Sequence, residues 1–314
     1  MKIQFIGEHK VMKNQVLLKK NGQAIVNISK VFLDVNIGDR LDTIPKYSEK
    51  FGLSVGTIQK AFRFLEDEKF VTLEKKGHLG TIVKNIKYEK LLNYAGIDKL
   101  VCVMPLPYSK RYEGLATGLK KSFSDKKIEF YFAHMGGAGI RIDFLETGIY
   151  DFAITSKLAA EQAIKLGKKI EISFEFGKNS YVESHVLLKA HKNAIKKVGI
   201  DPKSQDQVLL TMDYFKDKND IELIEIDYNK IPELLKRNII DATIWSLDEI
   251  KERNMKIEYE ELNNNELVNL ANEAVLITTK NDSTLKNIVK KIIDKNYILN
   301  VQNEILEDKI YPSY

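Results

Sequence analysis

Residues 44–66 read IPKYSEKFGLSVGTIQKAFRFLE, and this stretch decides the fold of the N-terminal part of the chain. Gly52 follows the first helical pattern and predicts a left-handed residue that ends a helix, and Ser54 predicts the N-cap of the next helix. In that second helix, apolar residues recur three and four positions apart and predict one buried face. These residues are Ile58, Ala61, Phe62 and Leu65. The stretch therefore predicts two short helices that meet at a sharp angle.

A basic hairpin pattern follows the second helix. Residues 71–73 and 81–83 predict two short strands, and the two glycines between them permit turn geometry. Cations at such a turn can reach phosphate or the minor groove of DNA. The helix pair and the hairpin together have the spacing of a winged helix-turn-helix. The DNA-contacting residues predicted from the second helix, its N-cap and the wing are Ser54, Thr57, Gln59, Lys60, Arg63, Lys75, Lys76 and His78.

Charge is distributed unevenly along the 314 residues. Residues 1–87 contain 16 Lys and Arg against 9 Asp and Glu, a net charge of +7, whereas residues 88–314 contain 33 against 35, a net charge of −2. Because counterion release supplies the sequence-independent part of DNA affinity, this asymmetry is typical of a DNA-binding module joined to a neutral sensor. A lysine-rich composition without functional meaning is the alternative explanation.

Residues 38–83 resemble, without gaps, the DNA-binding domain of the GntR family of regulators. The resemblance rests on four motifs, which are Gly-Asp-Arg-Leu at 38–41, Gly-x-Ser-x-Gly-Thr at 52–57, Ala-x-Arg-x-Leu-Glu at 61–66 and Gly-x-x-Gly at 77–80. It implies a winged helix-turn-helix that binds double-stranded DNA. The family usually places arginines before and within the recognition helix. Here Pro45, Val55 and Gln59 stand at those positions and Arg63 keeps the late one, so the base preference of the family does not carry over.

From residue 99 onward, strand and helix patterns alternate, which is typical of a parallel sheet covered by helices. Strands are predicted at 100–104, 128–134, 150–155, 221–226, 239–245 and 274–279, and helices at 110–123, 139–146 and 231–237. The segments 144–155 and 234–245 repeat one order of helix, turn, Asp and buried strand. Because the strand at 274–279 precedes a long helical stretch over 283–306, we expect the chain to cross back to a first lobe whose sheet is discontinuous in sequence.

This repeat resembles type 2 periplasmic-binding-protein folds and the effector domains of LysR-type regulators, in which two α/β lobes close on a small ligand. An unrelated doubly wound fold is the alternative. The whole chain, with its helix around residues 24–35 and its wing, resembles the YhfZ-type family of transcriptional regulators. The resemblance implies an α+β winged helix-turn-helix domain over residues 1–87 and a two-lobed α/β effector-binding domain over residues 88–314.

Loops after the predicted strands form a candidate effector site, because ligands bind at the carboxyl ends of strands beside helix N-termini. The predicted contacts are Tyr108, Ser109, Gly137, Thr155, Ser156 and Trp245. Their hydroxyls, an approachable backbone and the single tryptophan suit a small polar or anionic metabolite. Ser109 and Ser156 are equally explained as N-caps, and Trp245 as a core residue. Arg141 could pair with an anion, although a solvated helix arginine is the simpler interpretation.

The sequence shows no motif for a metal site, a nucleotide cofactor or a catalytic nucleophile. The single cysteine, Cys102, excludes an internal disulfide and a zinc site built from several cysteines, and the five histidines lack metal-ligand spacing. The glycine loop at 136–139 fits neither a dinucleotide fingerprint nor a P-loop, and a serine elbow is absent. We therefore expect no metal, no cofactor and no enzyme. Without a signal peptide or a long apolar run, we expect a cytoplasmic protein that does not enter membranes.

The sequence predicts a ligand-responsive transcriptional regulator, in which closure of the lobes changes the placement of two DNA-binding units. A homodimer is expected, because one small winged domain offers few contacts to DNA. Apolar residues of the stretch over 283–306 are candidates for the dimer contact, although packing on the first lobe explains them equally well. They are Ile288, Ile292, Ile293 and Leu299. The alternatives are a metabolic enzyme on a two-lobed binding-protein scaffold and a constitutive DNA-binding protein with a degenerate sensor.

Overall fold

A computed structural model describes residues 19–190, 194–218, 220–263, 265–280 and 282–314. Its N-terminal elements are α1 (Lys20–Asp34), α2 (Ile44–Phe51), α3 (Val55–Asp67), β1 (Val71–Lys75) and β2 (Thr81–Ile86). The two strands pair antiparallel, with a short 3-10 turn between them. Residues 38–41 lie beside β2, where the Leu41 amide donates to the Thr81 carbonyl at 2.9 Å. The predicted helix-turn-helix with a wing is therefore confirmed.

The turn between α2 and α3 has the local chemistry that its sequence predicts. Gly52 adopts a left-handed conformation with φ 63°, which suits glycine because it has no Cβ. The Ser54 hydroxyl oxygen accepts a hydrogen bond from the Thr57 amide at 3.2 Å and so caps α3. The apolar face of α3 is buried against α1, where Phe62 meets Phe32 edge to face. These contacts fix the angle of the helix pair and direct the opposite face of α3 toward solvent.

The first lobe is a five-stranded mixed sheet covered by helices. Its elements are α4 (Tyr88–Tyr94), β3 (Leu100–Met104), α5 (Lys110–Ser124), β4 (Phe130–His134), α6 (Ala138–Glu146), β5 (Phe152–Ser156), α7 (Lys157–Lys165), β6 (Ile170–Gly177), β12 (Ala274–Thr279), α12 (Ser283–Ile292) and α13 (Lys295–Leu306). The strand order is β4-β3-β5-β12-β6. Strand β12 comes from the end of the chain and pairs antiparallel with β5 and β6, which confirms the predicted return to this lobe.

The second lobe is a separate five-stranded sheet of order β11-β7-β10-β8-β9. Its elements are β7 (His185–Lys189), β8 (Lys197–Ile200), α8 (Gln205–Tyr214), β9 (Glu222–Glu225), α9 (Ile231–Lys236), β10 (Ala242–Ser246), α10 (Leu247–Glu252), β11 (Glu258–Glu261) and α11 (Glu266–Asn272). The chain crosses between the lobes near Tyr181 and again near Asn272, and the Tyr181 amide donates to the Asn272 carbonyl at 3.0 Å. No helix in these described ranges is long and apolar enough to cross a membrane.

The repeated sequence pattern has the same structural cause in both lobes. Gly148 and Asn238 end α6 and α9 with φ of 71° and 53°, in the left-handed region that Gly and Asn tolerate. Asp151 then accepts a hydrogen bond from the Val101 amide at 2.7 Å, and Asp241 accepts one from the Lys197 amide at 2.8 Å. Each Asp thus anchors the start of the neighbouring strand, which is β3 in the first lobe and β8 in the second. The repeat therefore reflects strand positioning rather than ligand chemistry.

The N-terminal domain is joined to the first lobe by a continuous apolar core. On α12, the Lys291 ammonium donates to the carbonyls of Leu33 and Val35 at the end of α1, at 2.6 and 2.5 Å. Ile288, Ile292 and Ile293 are buried within this chain, and Leu299 is partly buried. They pack inside the protomer, so the first three do not offer the dimer contact that the sequence left open. Asp294 caps α13 and divides the predicted helical stretch in two.

Replacing Lys291 by Met is expected to lower the free energy of unfolding by about 1.5–3 kcal/mol, because two carbonyls at the end of α1 lose a charged donor. Calorimetry of the full chain measures this loss. Lys290 precedes it on the exposed side of α12, and Lys290→Met should stay within about 0.5 kcal/mol of wild type. Equal effects of the two substitutions would contradict the role assigned to Lys291.

Candidate DNA interface and effector cleft

The predicted DNA-contacting residues lie on α3 and on the wing. Gln59, Lys60 and Arg63 are exposed on α3, opposite its buried face, and Thr57 is half-buried at its start. Ser54 is exposed as well, but its hydroxyl is occupied by capping and by a 2.8 Å hydrogen bond with the Thr57 hydroxyl. The wing carries the remaining three residues, all exposed, which are Lys75, Lys76 and His78. One amide-bearing and four cationic side chains are thus available to a nucleic acid.

The wing has an internal acid and an additional arginine. The Glu74 carboxylate forms salt bridges with Lys84 at 2.8 Å and with Lys76 at 3.4 Å, and Lys84 is the main cause that holds the pKa of Glu74 below its usual range. The charge of Lys76 is therefore partly balanced within the chain. Arg40 lies over the wing, because a Cβ placed on Gly80 would be 2.7 Å from its Nε. Arg40 is an additional candidate contact that was not predicted, although it belongs to the Gly-Asp-Arg-Leu motif.

A cavity of about 450 Å³ lies between the two lobes. The lobes touch directly around it. The Tyr108 hydroxyl donates to Asn229 Oδ1 at 3.0 Å across the cleft. Gly137 approaches the second lobe so closely that a Cβ there would lie 3.1 Å from the Lys203 carbonyl oxygen. The two lobes therefore contact each other across a cleft whose volume lies within the usual range for ligand pockets.

Only half of the predicted effector contacts line this cavity. Tyr108, Gly137 and Trp245 belong to its wall. The other three do not, which corrects the expectation that all six share one cavity. Ser109 caps α5 through the Tyr112 amide and Ser156 caps α7 through the Ala159 amide, and the Ser156 hydroxyl also donates to Asp206 behind the cavity wall. Thr155 is fully buried in β5, and its hydroxyl has no hydrogen-bond partner among the described residues.

Arg141 is a buried residue of the cavity wall, which corrects its interpretation as a solvated helix arginine. Its side chain is 2% exposed. The guanidinium donates from Nε to the Ile154 carbonyl at 3.1 Å, from Nη1 to the Met135 carbonyl at 2.8 Å and from Nη2 to the Tyr181 hydroxyl at 3.1 Å. Because a guanidinium carries five N–H groups, two are left without a partner among the described residues. Lobe one thus holds a positioned cation at the cleft.

Asp206 is an acidic residue of the opposite wall that the sequence analysis missed. It lies in the first turn of α8, is 8% exposed and lines the cavity. Its Oδ1 accepts a hydrogen bond from the Ser156 hydroxyl at 2.6 Å, across the two lobes. Burial raises the pKa of Asp206 to about 6, while Ser156 and the charge of Arg141 oppose that rise. The sequence signal that could have indicated Asp206 is an acidic residue in the first turn of a helix that follows a strand.

The other end of the cavity is aromatic and contains a second buried acid. Tyr228 packs edge to face against Trp245, and its hydroxyl donates to Glu249 Oε1 at 2.8 Å. Burial raises the pKa of Glu249 to about 7. The Ser246 hydroxyl also lies at the wall, is buried, and has no hydrogen-bond partner among the described residues. The cleft therefore combines aromatic surface with both signs of charge, which a purely anionic ligand would not match.

The chain matches known proteins over both of its parts. The family model "YhfZ C-terminal domain" matches residues 87–314, and the model "Helix-turn-helix domain" matches residues 36–83. The uncharacterized protein YhfZ of Escherichia coli (strain K12) is 33% identical over 303 residues, which are 96% of this chain and 99% of that protein.

Solved structures share the fold of the C-terminal part. The crystal structure of YhfZ from Shigella flexneri is 34% identical, with a TM-score of 0.63 over 72% of this chain and 97% of that one. The periplasmic aliphatic sulphonate binding protein SsuA from Escherichia coli is 13% identical, with a TM-score of 0.51 over 67% of this chain and 75% of that one. At this identity the second likeness shows the fold alone, and it confirms the predicted periplasmic-binding-protein-like architecture.

Proposed function

The chain belongs to the YhfZ family, and from that premise we propose that it is a ligand-responsive transcriptional regulator. Its helix-turn-helix domain marks a DNA-binding regulator. The observation that carries the finer proposal is the cleft of about 450 Å³ between the lobes, with charged residues on both of its walls. A sensor that had lost its ligand would be expected to fill this space with its own side chains.

The proposed mechanism follows from the packing of the N-terminal domain on the first lobe. Because α1 and α12 share a core and Lys291 bonds the end of α1, the DNA-binding domain moves together with the first lobe. Closure on an effector then displaces the second lobe relative to that body. In a homodimer whose partner contacts the second lobe, this displacement changes the distance between the two DNA-binding domains.

The proposal includes DNA contacts of the GntR type and a cytoplasmic location, and it requires neither a metal nor a cofactor. The charge difference between the two parts of the chain supports DNA binding, since 16 cations stand against 9 acids before residue 88. In the proposed complex, Gln59 and Arg63 face base edges and Lys60, Lys75 and Arg40 face phosphates. The proposal assigns the buried acids of the cleft to ligand binding and to hydrogen bonds within the wall, rather than to the proton transfers that the enzyme alternative would require.

The experiment that tests the DNA-binding part of this proposal uses the full chain and duplex DNA from upstream of its own gene. Affinity is measured by fluorescence anisotropy between 50 and 200 mM salt. Six or more phosphate contacts in a dimer should reduce the affinity by about 1000-fold over that range. Binding that is absent, or that does not respond to salt, would contradict the proposal.

A further inference from the structure

The cleft holds two buried charges of opposite sign, one from each lobe. Arg141 belongs to α6 of the first lobe and Asp206 to α8 of the second, and both line the cavity between them. They are close enough for the charge of Arg141 to lower the pKa of Asp206. Neither donates to nor accepts from the other in the described part of the chain, so each is held by different neighbours.

Each charge also has unused hydrogen-bonding capacity. Among the described residues, Asp206 has a partner for Oδ1 only, the Ser156 hydroxyl. The Arg141 guanidinium uses three of its five N–H groups. A buried charge without a full set of partners is costly, and a ligand group of opposite charge removes that cost. The raised pKa of Asp206 has the same origin, because burial disfavours the carboxylate until a cation lies beside it.

We propose that the cleft binds a compact zwitterion, with an ammonium group on Asp206 and an oxyanion on Arg141. This inference rests on the proposed function, and it names the chemical class of the effector. Carboxylate and phosphonate both suit a guanidinium, so amino acids and amino phosphonates share the required chemistry. An anion without an ammonium group would bring a second negative charge toward Asp206, and an amine without an oxyanion would leave Arg141 unpaired.

The remaining wall describes the rest of the ligand. Tyr112, Tyr181, Tyr228 and Trp245 line the cavity with aromatic surface. A volume of about 450 Å³ is larger than an ammonium and an oxyanion alone require. Ser246 Oγ and Gln205 Oε1, which have no hydrogen-bond partner among the described residues, offer polar contacts at the wall. The zwitterion therefore has room for a side chain, which packs on the tyrosines and can also reach these polar groups.

The test measures binding of a defined panel to the full chain by thermal shift and then by calorimetry. The panel contains the twenty proteinogenic amino acids and 2-aminoethylphosphonate, which separate the carboxylate from the phosphonate. The best binder is compared with its desamino acid and with its decarboxylated amine. We expect each truncated probe to bind at least about 10-fold more weakly than the zwitterion, because each loses one charge-assisted contact. Equal binding by a truncated probe, or no binding by any panel member, would overturn the inference.

A second test compares the affinities of Asp206→Asn for the zwitterion and for its desamino acid. A merely structural role of Asp206 would not change the two affinities in opposite directions. This variant should bind the zwitterion about 10- to 100-fold more weakly than wild type does. It should bind the desamino acid as tightly as wild type does, or more tightly. The matched control is Asp217→Asn, at an exposed position beyond the end of α8, and it should change neither affinity. If simple anions bind the cleft and alter DNA affinity, the proposed function stands and this inference fails. If zwitterions bind and DNA affinity never responds, the proposed function fails instead.

Discussion

The double variant Lys60→Ala Arg63→Ala is expected to lower the affinity for duplex DNA by at least about 100-fold. Both residues lie on the exposed face of α3, and in a dimer the change removes four cations from the DNA surface. A base contact contributes about 1–3 kcal/mol and each phosphate contact adds about 0.9 to the salt slope. Fluorescence anisotropy at several salt concentrations should show a weaker affinity and a flatter slope.

The matched control is Lys236→Ala Arg237→Ala, which removes the same charges from an exposed site on the second lobe. We expect this variant to bind DNA within about threefold of wild type, because long-range charge effects are screened at physiological salt. Equal losses in the two variants would mean that total charge, rather than α3, determines binding. Wild-type affinity in the α3 variant would place the DNA surface elsewhere.

Gly118→Leu is expected to destabilise the folded chain by about 3 kcal/mol or more. A Cβ at Gly118 would lie 3.0 Å from the Cα and the carbonyl oxygen of Ile298, and one at Gly114 would lie 2.9 Å from the Cα of Gln302. Helices α5 and α13 therefore meet at their backbones, which cannot rotate away as a flexible side chain can. Urea unfolding followed by circular dichroism measures the loss.

The same substitution at Gly56 is the control, because a Cβ there meets nothing within 4 Å. Gly56→Leu should stay within about 1 kcal/mol of wild type, since leucine is the better helix former. A destabilised Gly56→Leu together with a stable Gly118→Leu would contradict the packing described for α5 and α13. This packing also concerns the cleft, because Gln302 on α13 donates to the Arg111 and Ser180 carbonyls at 2.8 and 2.9 Å, beside the first crossing between the lobes.

The helix-turn-helix and the two-lobed fold could be predicted because their signals are local. Gly52 and Ser54 carry the turn chemistry in their own residue types, and the repeated Asp at 151 and 241 marks the same strand junction twice. The return of β12 to the first lobe followed from a strand placed before a helical stretch at the end of the chain. In each case the signal lies in a few neighbouring residues of the sequence, even where the contact that it forms is remote along the chain.

The effector site was less predictable, because loop position does not tell which way a side chain points. Ser109 and Ser156 stand at carboxyl ends of strands, yet both hydroxyls cap helices instead of lining the cavity. The position of Arg141 after a glycine loop is equally compatible with a solvated arginine. Its burial depends on hydrogen bonds to the carbonyls of Met135 and Ile154, which only the folded lobe brings to it. Asp206 becomes a cleft residue only when the second lobe folds against the first.

The claim that ligand binding in the cleft changes DNA affinity is tested most directly by measuring the DNA affinity of the full chain with and without a saturating concentration of the best-binding panel member. If the claim is correct, the ligand changes the DNA affinity of the wild-type protein by at least about fivefold, which is the lower end of usual allosteric coupling. The claim also predicts that Asp206→Asn reaches the same change only at a ligand concentration about 10- to 100-fold higher. A ligand that occupies the cleft of the wild-type protein and leaves its DNA affinity unchanged would contradict the account.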